Sequence, residues 1–172
     1  MAEQTREQRM AWVDQLRRDV RACLPFLVEP ATRLVVAHLA LESGFGVSRA
    51  ASRGLNLGNL TAGSAWQGGR WVDEGGDVSG AGKRITQTWR TYGSVAEFLA
   101  DYWTFLGPAA NSGRYVLARN ALERGLLDDF ARLLYSAGYF ELAPAEYARR
   151  LHGAFDAVSV LLDPPRVPPV VQ

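Results

Sequence analysis

The sequence predicts an α+β fold, in which a mainly helical body carries a small β-hairpin lobe beside a cleft. Three observations predict it: apolar residues recur at helical spacing toward both ends of the chain, the middle is rich in glycine, and two short segments there alternate apolar and polar residues. The 172 residues suffice for one domain with its own core. We expect that domain over residues 1–162, with the lobe at about 66–91, and a proline-rich, extended tail over 163–172.

Two helices are predicted before the glycine-rich middle. Residues 4–22 place Val13, Leu16 and Val20 on one face at helical spacing. A second helix is expected over about residues 30–43, because a proline suits the first turn of a helix and glycines follow its end.

The glycine-rich middle contains two candidate strands, at residues 69–74 and 83–90. Ile85 and Gln87 illustrate the alternation of the second strand. Residues 75–82, GGDVSGAG, are expected to form a flexible loop between the strands.

Helices are predicted again after the hairpin. Ser94 and Glu97 have the spacing of a capping box, which indicates a helix from Ser94 to about Phe105. Three further helices are expected near residues 114–121, 126–137 (ended by Gly138) and 144–162.

Composition and charge exclude several classes of protein. The net charge of +1, without a long run of one sign, gives no strong attraction to nucleic acid or anionic lipid. The single cysteine, Cys23, rules out an internal disulfide. The N-terminus lacks an apolar signal region, and the longest apolar run, LVVAHLAL, is too short to cross a bilayer. We therefore expect a monomer that is synthesised in the cytoplasm, without a signal peptide and without membrane insertion.

Glu42 occupies an unusual place, at the carbonyl end of the second predicted helix. The negative end of the helix and partial burial beside Leu41 and Phe45 would both raise the pKa of its carboxyl, as a general acid requires. The alternative is an outward-facing, unperturbed carboxylate, and position alone leaves both readings open.

Three further acids, Asp73, Glu74 and Asp77, lie in the predicted lobe. An acid at a helix end that faces acids across a cleft has the geometry of glycoside hydrolysis. For any one of the three taken alone, ordinary hairpin polarity is the better explanation.

Five segments together resemble glycoside hydrolase family 73, the peptidoglycan β-N-acetylglucosaminidases, which include autolysins and the hydrolase domain of the flagellar rod-cap protein. They are AHLALESGFGVS (37–48), NLGNLTAGSAW (56–66), WRTYGSVAEFLADYWTFL (89–106), RY (114–115) and AGYFELAPAEYARRL (137–151). Each segment is a weak signal alone, but their common order and spacing make the resemblance specific.

The resemblance implies a lysozyme-like fold and a catalytic acid at Glu42. It also implies a second acid on the hairpin, for which Asp77 is the closest match, Glu74 the rival and Asp73 the third candidate. The family usually has Glu at this position, so an Asp departs from its pattern. Tyr139 matches a cleft tyrosine that would orient the N-acetyl group or the reacting water.

Aromatic faces and amides commonly line sugar sites, which makes Asn56, Asn59, Trp66, Trp71 and Tyr92 candidate substrate-binding residues. Each could equally serve the structure alone.

His38 stands where the family commonly has Gln, one helical turn before Glu42. A protonated His38 would lower the pKa of the acid, whereas a neutral one could hydrogen-bond to it. A zinc site of His38 and Glu42 lacks a third ligand in the sequence, so we expect neither a metal nor a cofactor.

The resemblance therefore predicts a hydrolase that cleaves the β-1,4 bond after N-acetylglucosamine in peptidoglycan glycan strands. The alternatives are a lytic transglycosylase or goose-type lysozyme, whose Met-Gln motif is absent, and a non-catalytic wall-binding domain. Because no signal peptide is expected, a phage lysin or tail, a secretion apparatus or a flagellar assembly would bring the enzyme to the cell wall or periplasm.

Overall fold

A computed structural model describes residues 4–78 and 84–163. In chain order the elements are α1 (Arg6–Cys23), α2 (Ala31–Ser43), α3 (Arg49–Gly54), β1 (Gly69–Val78), β2 (Arg84–Thr91), α4 (Val95–Phe105), a 3₁₀ turn (Asn111–Gly113), α5 (Val116–Glu123), α6 (Leu127–Ser136) and α7 (Pro144–Leu162). The predicted α+β class, a helical body with a two-stranded lobe, is confirmed. None of these helices is long and apolar enough to cross a membrane.

Helix α2 forms the centre of the helical body. It packs against α1, α5 and α7, and side chains around its circumference, including Leu34, Val35, Val36 and Leu39, are fully buried. A helix that is apolar all round must be surrounded in this way, since each exposed side chain would forgo about 1.5–3 kcal/mol of burial free energy. The acid at its end is therefore held on a helix that other elements of the body surround.

The lobe is an antiparallel pair of strands, with Trp71 opposite Trp89 and Asp73 opposite Gln87. The register shifts between Asp73 and Asp77, as at a β-bulge. Thr61 adds a single bridge to Trp89, which joins the preceding loop to β2. An isolated two-stranded hairpin is only marginally stable, so the lobe depends on its contacts with the body.

Helix α3 supplies many of those contacts. Arg49 Nη2 lies 2.7 Å from the carboxylate of the buried Asp73, and the guanidinium groups of Arg49 and Arg53 lie over the ring of Trp71. Ser48 caps the helix by accepting a hydrogen bond from Ala51 N. This helix therefore connects the end of α2 to the lobe.

The predicted helices are confirmed to within a few residues, but two short elements, α3 and the 3₁₀ turn, were not predicted. β1 continues to Val78, so residues 75–78 of the expected loop are strand. The rest of that loop, 79–83, and most of the expected tail, 164–172, lie outside the described residues. Ser94 caps α4 as expected, although the Glu97 carboxylate accepts from Gly93 N rather than Ser94 N.

Candidate active site

The turn after α2 holds Glu42 at the edge of the body. Gly44 ends the helix in the left-handed conformation, with φ of 58°, and its N–H donates to Ala40 O. The Ser43 hydroxyl donates to Leu39 O and accepts from Gly46 N. A Cβ on Gly46 would overlap the indole of Trp12, so the chain can follow this path only with glycine there.

The Glu42 carboxyl is held by two neutral donors. Tyr147 Oη donates to Oε1 at 2.7 Å, and Asn59 Nδ2 donates to Oε2 at 3.2 Å and to the Glu42 carbonyl at 2.7 Å. Burial raises the pKa of Glu42, and these two hydrogen bonds oppose the rise without cancelling it. The side chain keeps 14% exposure, so a carboxyl with a raised pKa remains accessible.

Tyr147 is a site residue that the sequence did not reveal. It lies on α7, 105 residues beyond Glu42, and its ring stacks on Phe140 with 3.6 Å between centroids. Burial raises its pKa well above the usual range, so it stays a donor at every working pH. In the sequence it looked like an ordinary apolar-face residue of an amphipathic helix.

His38 lies fully buried behind Glu42. Its Nδ1 is 2.8 Å from Tyr102 Oη, and its Nε2 is 3.7 Å from Glu42 Oε1. Burial lowers the pKa of His38 to about 3, so the ring is neutral near neutral pH. Of the two states considered from the sequence, the neutral one fits this environment.

A polar cleft of about 290 Å³ opens beside Glu42. Its lining combines backbone, amides, aromatic rings and two guanidinium groups, from Glu42, Asn59, Leu60, Thr61, Gly63, Arg90, Phe105, Asn111, Arg114, Tyr115, Gly138 and Tyr139. The hydroxyl of Tyr139 donates to Gly58 O at 2.7 Å, which leaves its oxygen free to accept. The structure thus brings Glu42, Asn59 and Tyr139 together at one cleft.

The two arginines of the cleft differ in their surroundings. Arg90 pairs with Asp101 at 2.7 Å, donates to Thr61 O and covers the Trp66 ring. Arg114 is exposed and follows three residues with positive φ, and the structure, within the part it describes, pairs it with no carboxylate. Among the described side chains, Arg114 is therefore the cleft arginine without a carboxylate partner, whereas Arg90 has one.

The three candidate acids of the lobe have different environments. Asp73 is buried in its ion pair with Arg49, whereas Glu74 is exposed. Asp77 pairs with Ile85 through the backbone, and its side chain lies outside the described residues. Of the described side chains that line the cleft, Glu42 is the sole carboxylate.

The remaining predicted sugar-binding residues lie away from Glu42 or behind the cleft wall. Asn56 is fully buried, and its amide bonds to the backbone of Leu60 and Arg90. The Tyr92 hydroxyl donates to Asp101, and its ring meets Trp66 edge to face. Trp71 lies under the arginines of α3. These contacts favour structural roles for Asn56, Tyr92 and Trp71, whereas the partly exposed Trp66 flanks the cleft through Arg90.

Among the side chains that the structure describes, no group of three His, Cys, Asp or Glu is arranged to hold a metal ion. His38 and Glu42 are neighbours but have no third ligand in the described part of the chain.

A partly buried acid on a polar cleft between a helical body and a β lobe defines a glycoside hydrolase of lysozyme-like fold. Residues 28–159 match the profile of the glucosaminidase family, described as mannosyl-glycoprotein endo-beta-N-acetylglucosaminidase. The chain belongs to this family, and the resemblance found in the sequence is confirmed. The chain has no match among curated protein sequences.

Solved structures with the same fold agree with this assignment. A peptidoglycan hydrolase mutant from Sphingomonas sp. A1 is 28% identical, with a TM-score of 0.65 over 89% of this chain and 97% of that one. The catalytic domain of the autolysin Auto from Listeria monocytogenes is 16% identical, with a TM-score of 0.65 over 94% and 90%. The glycoside hydrolase domain of Salmonella typhimurium FlgJ is 20% identical, with a TM-score of 0.62 over 90% and 91%. The last two likenesses concern the fold alone.

Proposed function

We propose that this protein is a peptidoglycan endo-β-N-acetylglucosaminidase that cleaves the β-1,4 bond after N-acetylglucosamine, with Glu42 as general acid. One observation carries the proposal: Glu42 has a raised pKa through burial yet reaches a polar cleft. A carboxyl with a raised pKa keeps its proton to higher pH than a free carboxyl does, so it can give that proton to a leaving oxygen. The likeness to the Sphingomonas hydrolase supports peptidoglycan as the substrate.

In the first step Glu42 protonates the glycosidic oxygen while the bond from that oxygen to the anomeric carbon breaks. The bonding electrons leave with the oxygen, and positive charge develops on the sugar ring. Glu42 becomes a carboxylate, which Tyr147 and Asn59 stabilise by the hydrogen bonds they already make. These donors are in place before the reaction, so no reorganisation is needed to receive the new charge.

The second step needs a nucleophile for the anomeric carbon. Either the acetamido oxygen of the substrate attacks, or a carboxylate of β1 activates a water molecule. Asp77 and Glu74 are the proposed carboxylates, since Asp73 is engaged by Arg49. Tyr139, whose hydroxyl proton is donated to Gly58 O, would accept a hydrogen bond from the acetamido N–H or from water.

The two routes differ in stereochemistry and in their response to substitution. Attack by the acetamido oxygen followed by water retains the anomeric configuration, whereas direct attack by water inverts it. NMR of fresh products identifies the anomer. Inversion together with a large loss in Asp77→Asn or Glu74→Gln assigns the base to that residue, and retention with little loss in both assigns the acetamido route.

The charge of the cleft suits a glycan that carries carboxylates. Peptidoglycan has them on its muramyl lactyl groups or peptide stems, whereas chitin and neutral glycoprotein glycans do not. Arg114 is exposed at the cleft, while Arg90 is neutralised by Asp101. We assign Arg114 to a carboxylate of the substrate, as a contact that favours peptidoglycan over neutral glycans.

Mass spectrometry of digested peptidoglycan tests the function directly. We expect fragments with a reducing N-acetylglucosamine end. Anhydro-muramic ends would identify a lytic transglycosylase, and reducing muramic acid ends a lysozyme. Binding to purified wall without any fragment would identify a wall-binding domain, and each of these three results would overturn the proposal.

We further propose that the protein acts on the cell wall, delivered by a phage lysis or tail system, a secretion apparatus or a flagellar assembly. The substrate supports the location, since peptidoglycan lies outside the cytoplasm. Fractionation of producing cells should find the activity in the periplasmic or wall fraction at the time of delivery, and activity confined to the cytoplasm would contradict this.

A further inference from the structure

We propose that His38 is a positioning residue for the acid: its neutral ring carries the proton on Nε2 and keeps Glu42 Oε1 as an acceptor, so that the acidic proton of Glu42 resides on Oε2. The inference rests on the proposed role of Glu42. It gives a function to a buried titratable group that the proposed reaction does not otherwise use.

The surroundings of His38 keep its ring uncharged. The imidazole is fully buried and packs against the rings of Phe130, Tyr139 and Tyr102, with centroids 5.0, 5.5 and 5.8 Å away. Among the described residues, Glu42 is the one group in contact with His38 that ionises below alkaline pH, since burial raises the pKa of Tyr102 and Tyr139 well above the usual range. A neutral imidazole has one donor and one acceptor nitrogen, so its tautomer decides what it offers Glu42.

Tyr102 selects the tautomer. Its hydroxyl is fully buried and lies 2.8 Å from His38 Nδ1, and the described part of the chain records no second partner for it. A buried hydroxyl must donate its proton to an acceptor, because a buried donor without a hydrogen bond costs about 1–3 kcal/mol. Tyr102 therefore donates to Nδ1, and the ring proton is on Nε2.

The Nε2–H faces the catalytic carboxyl. Nε2 lies 3.7 Å from Glu42 Oε1 and has no hydrogen-bond partner within the described residues. This separation is too long for a full hydrogen bond. The Nε2–H bond is nevertheless a dipole whose positive end points at the oxygen. Oε1 also accepts from Tyr147, so two positive dipoles meet there and a proton on Oε1 is disfavoured.

The acidic proton is consequently placed on Oε2, the oxygen 3.2 Å from the Asn59 amide on the lining of the cleft. The opposite tautomer would present a bare Nε2 to Glu42 and draw the proton inward, away from the substrate. The pair Tyr102–His38 thus directs the proton outward without titrating itself.

Nitrogen NMR of the labelled protein reads the tautomer without any turnover. We expect His38 to stay neutral, with the proton on Nε2, across the range in which free histidine titrates. The surface residue His152, which contacts Asp128, provides a second signal, and His152→Gln assigns the two. A proton on Nδ1, or a charged His38 near neutral pH, would overturn the proposal even if the enzyme is active.

Two variants at position 38 separate positioning from packing. Gln can accept from Tyr102 and donate toward Glu42, so His38→Gln should keep the wild-type pH profile of kcat/KM. Leu fills the space without a donor, so the carboxylate form of Glu42 loses support. In His38→Leu we expect the alkaline limb, which reports deprotonation of Glu42, to move up by roughly half a pH unit, with a lower plateau.

An unchanged limb in His38→Leu, or the same shift in both variants, would mean that His38 only fills space. If His38→Leu does not fold, the NMR measurement of the His38 tautomer and the pH profile of His38→Gln still test the positioning role. Activity that survives Glu42→Gln would instead refute the proposed function, while the tautomer measurement would still report on His38 itself.

Discussion

The helical body and the β lobe prepare the cleft to different degrees. In the body, the catalytic candidate ends a largely buried helix and is held by donors from two distant segments, at Asn59 and Tyr147. The lobe is a two-stranded sheet with a shifted register, fastened to the body through α3 and a short bridge at Thr61. The comparison teaches that the acid is preorganised, whereas any carboxylate that the lobe supplies depends for its position on the contacts between lobe and body.

We expect the largest effect from removing the hydrogen bond that Tyr147 donates to Glu42 in the body. Tyr147→Phe removes the donor to Glu42 Oε1, and a hydrogen bond to a charged group is worth about 1.5–3 kcal/mol. We expect kcat to fall about ten- to a hundred-fold. The pKa of Glu42 rises further when its carboxylate loses a donor, so the alkaline limb of the pH profile moves to higher pH.

Tyr135→Phe is the matched control, because this tyrosine is exposed on α6. It should leave both the rate and the profile unchanged. A Tyr147→Phe enzyme with the wild-type profile would show that Tyr147 does not support the acid.

The second test removes the ion pair between Asp73 and Arg49, which fastens the lobe to the body. Asp73→Asn keeps the shape of the side chain but removes the charge that Arg49 faces, at a residue that is 3% exposed. We expect the free energy of unfolding to fall by about 1–2 kcal/mol, less than for a wholly buried pair because Arg49 is half exposed. Activity should fall with it, since the lobe borders the cleft.

Asp129→Asn removes one partner of an exposed pair with Arg132 and serves as the control. Its effect on stability should stay below about 0.5 kcal/mol, as surface pairs contribute little. Equal effects of the two substitutions in urea unfolding would contradict the fastening role of Asp73.

The smallest expected effect concerns the substrate charge at Arg114. In Arg114→Gln the ratio of kcat/KM for peptidoglycan to that for chito-oligosaccharides should fall about two- to five-fold, because a partly exposed contact between ions is worth about 0.5–1 kcal/mol. Amidase-treated glycan, which lacks peptides and carries free lactyl carboxylates, distinguishes the two sources of charge. Arg132→Gln is the control, and an equal loss on neutral and charged glycans would contradict the assignment.

Much of the fold was predictable because its elements have local signals. The apolar spacing of Val13, Leu16 and Val20 and the Ser94 cap indicate their helices without any distant information. Helix α3 escaped prediction because six residues are too few to show a period, although Ser48 is its cap. β1 continues beyond its predicted end at residue 74 because the glycines at 75 and 76 are typical of a turn.

The site was predictable where its residues lie within the segments that carry the resemblance to the family, as Glu42, Asn59 and Tyr139 do. Tyr147 also lies in such a segment, but its contact with Glu42 spans 105 residues and no local pattern indicates it. The state of His38 required its burial, which a single sequence does not show. The side-chain amide of a residue such as Asn56 can hydrogen-bond either to a sugar or to the backbone. The fold shows that Asn56 bonds to the backbone.

The central claim is that the preorganised acid of the body performs the chemistry. Glu42→Gln keeps the size of the side chain but has no acidic proton, so the rate of release of reducing ends from purified peptidoglycan should fall by about 10²–10⁴. Glu146→Gln, on the exposed face of α7, should retain the wild-type rate, and thermal unfolding should show that both variants are folded. Equal rates of release by wild type and folded Glu42→Gln would contradict the account.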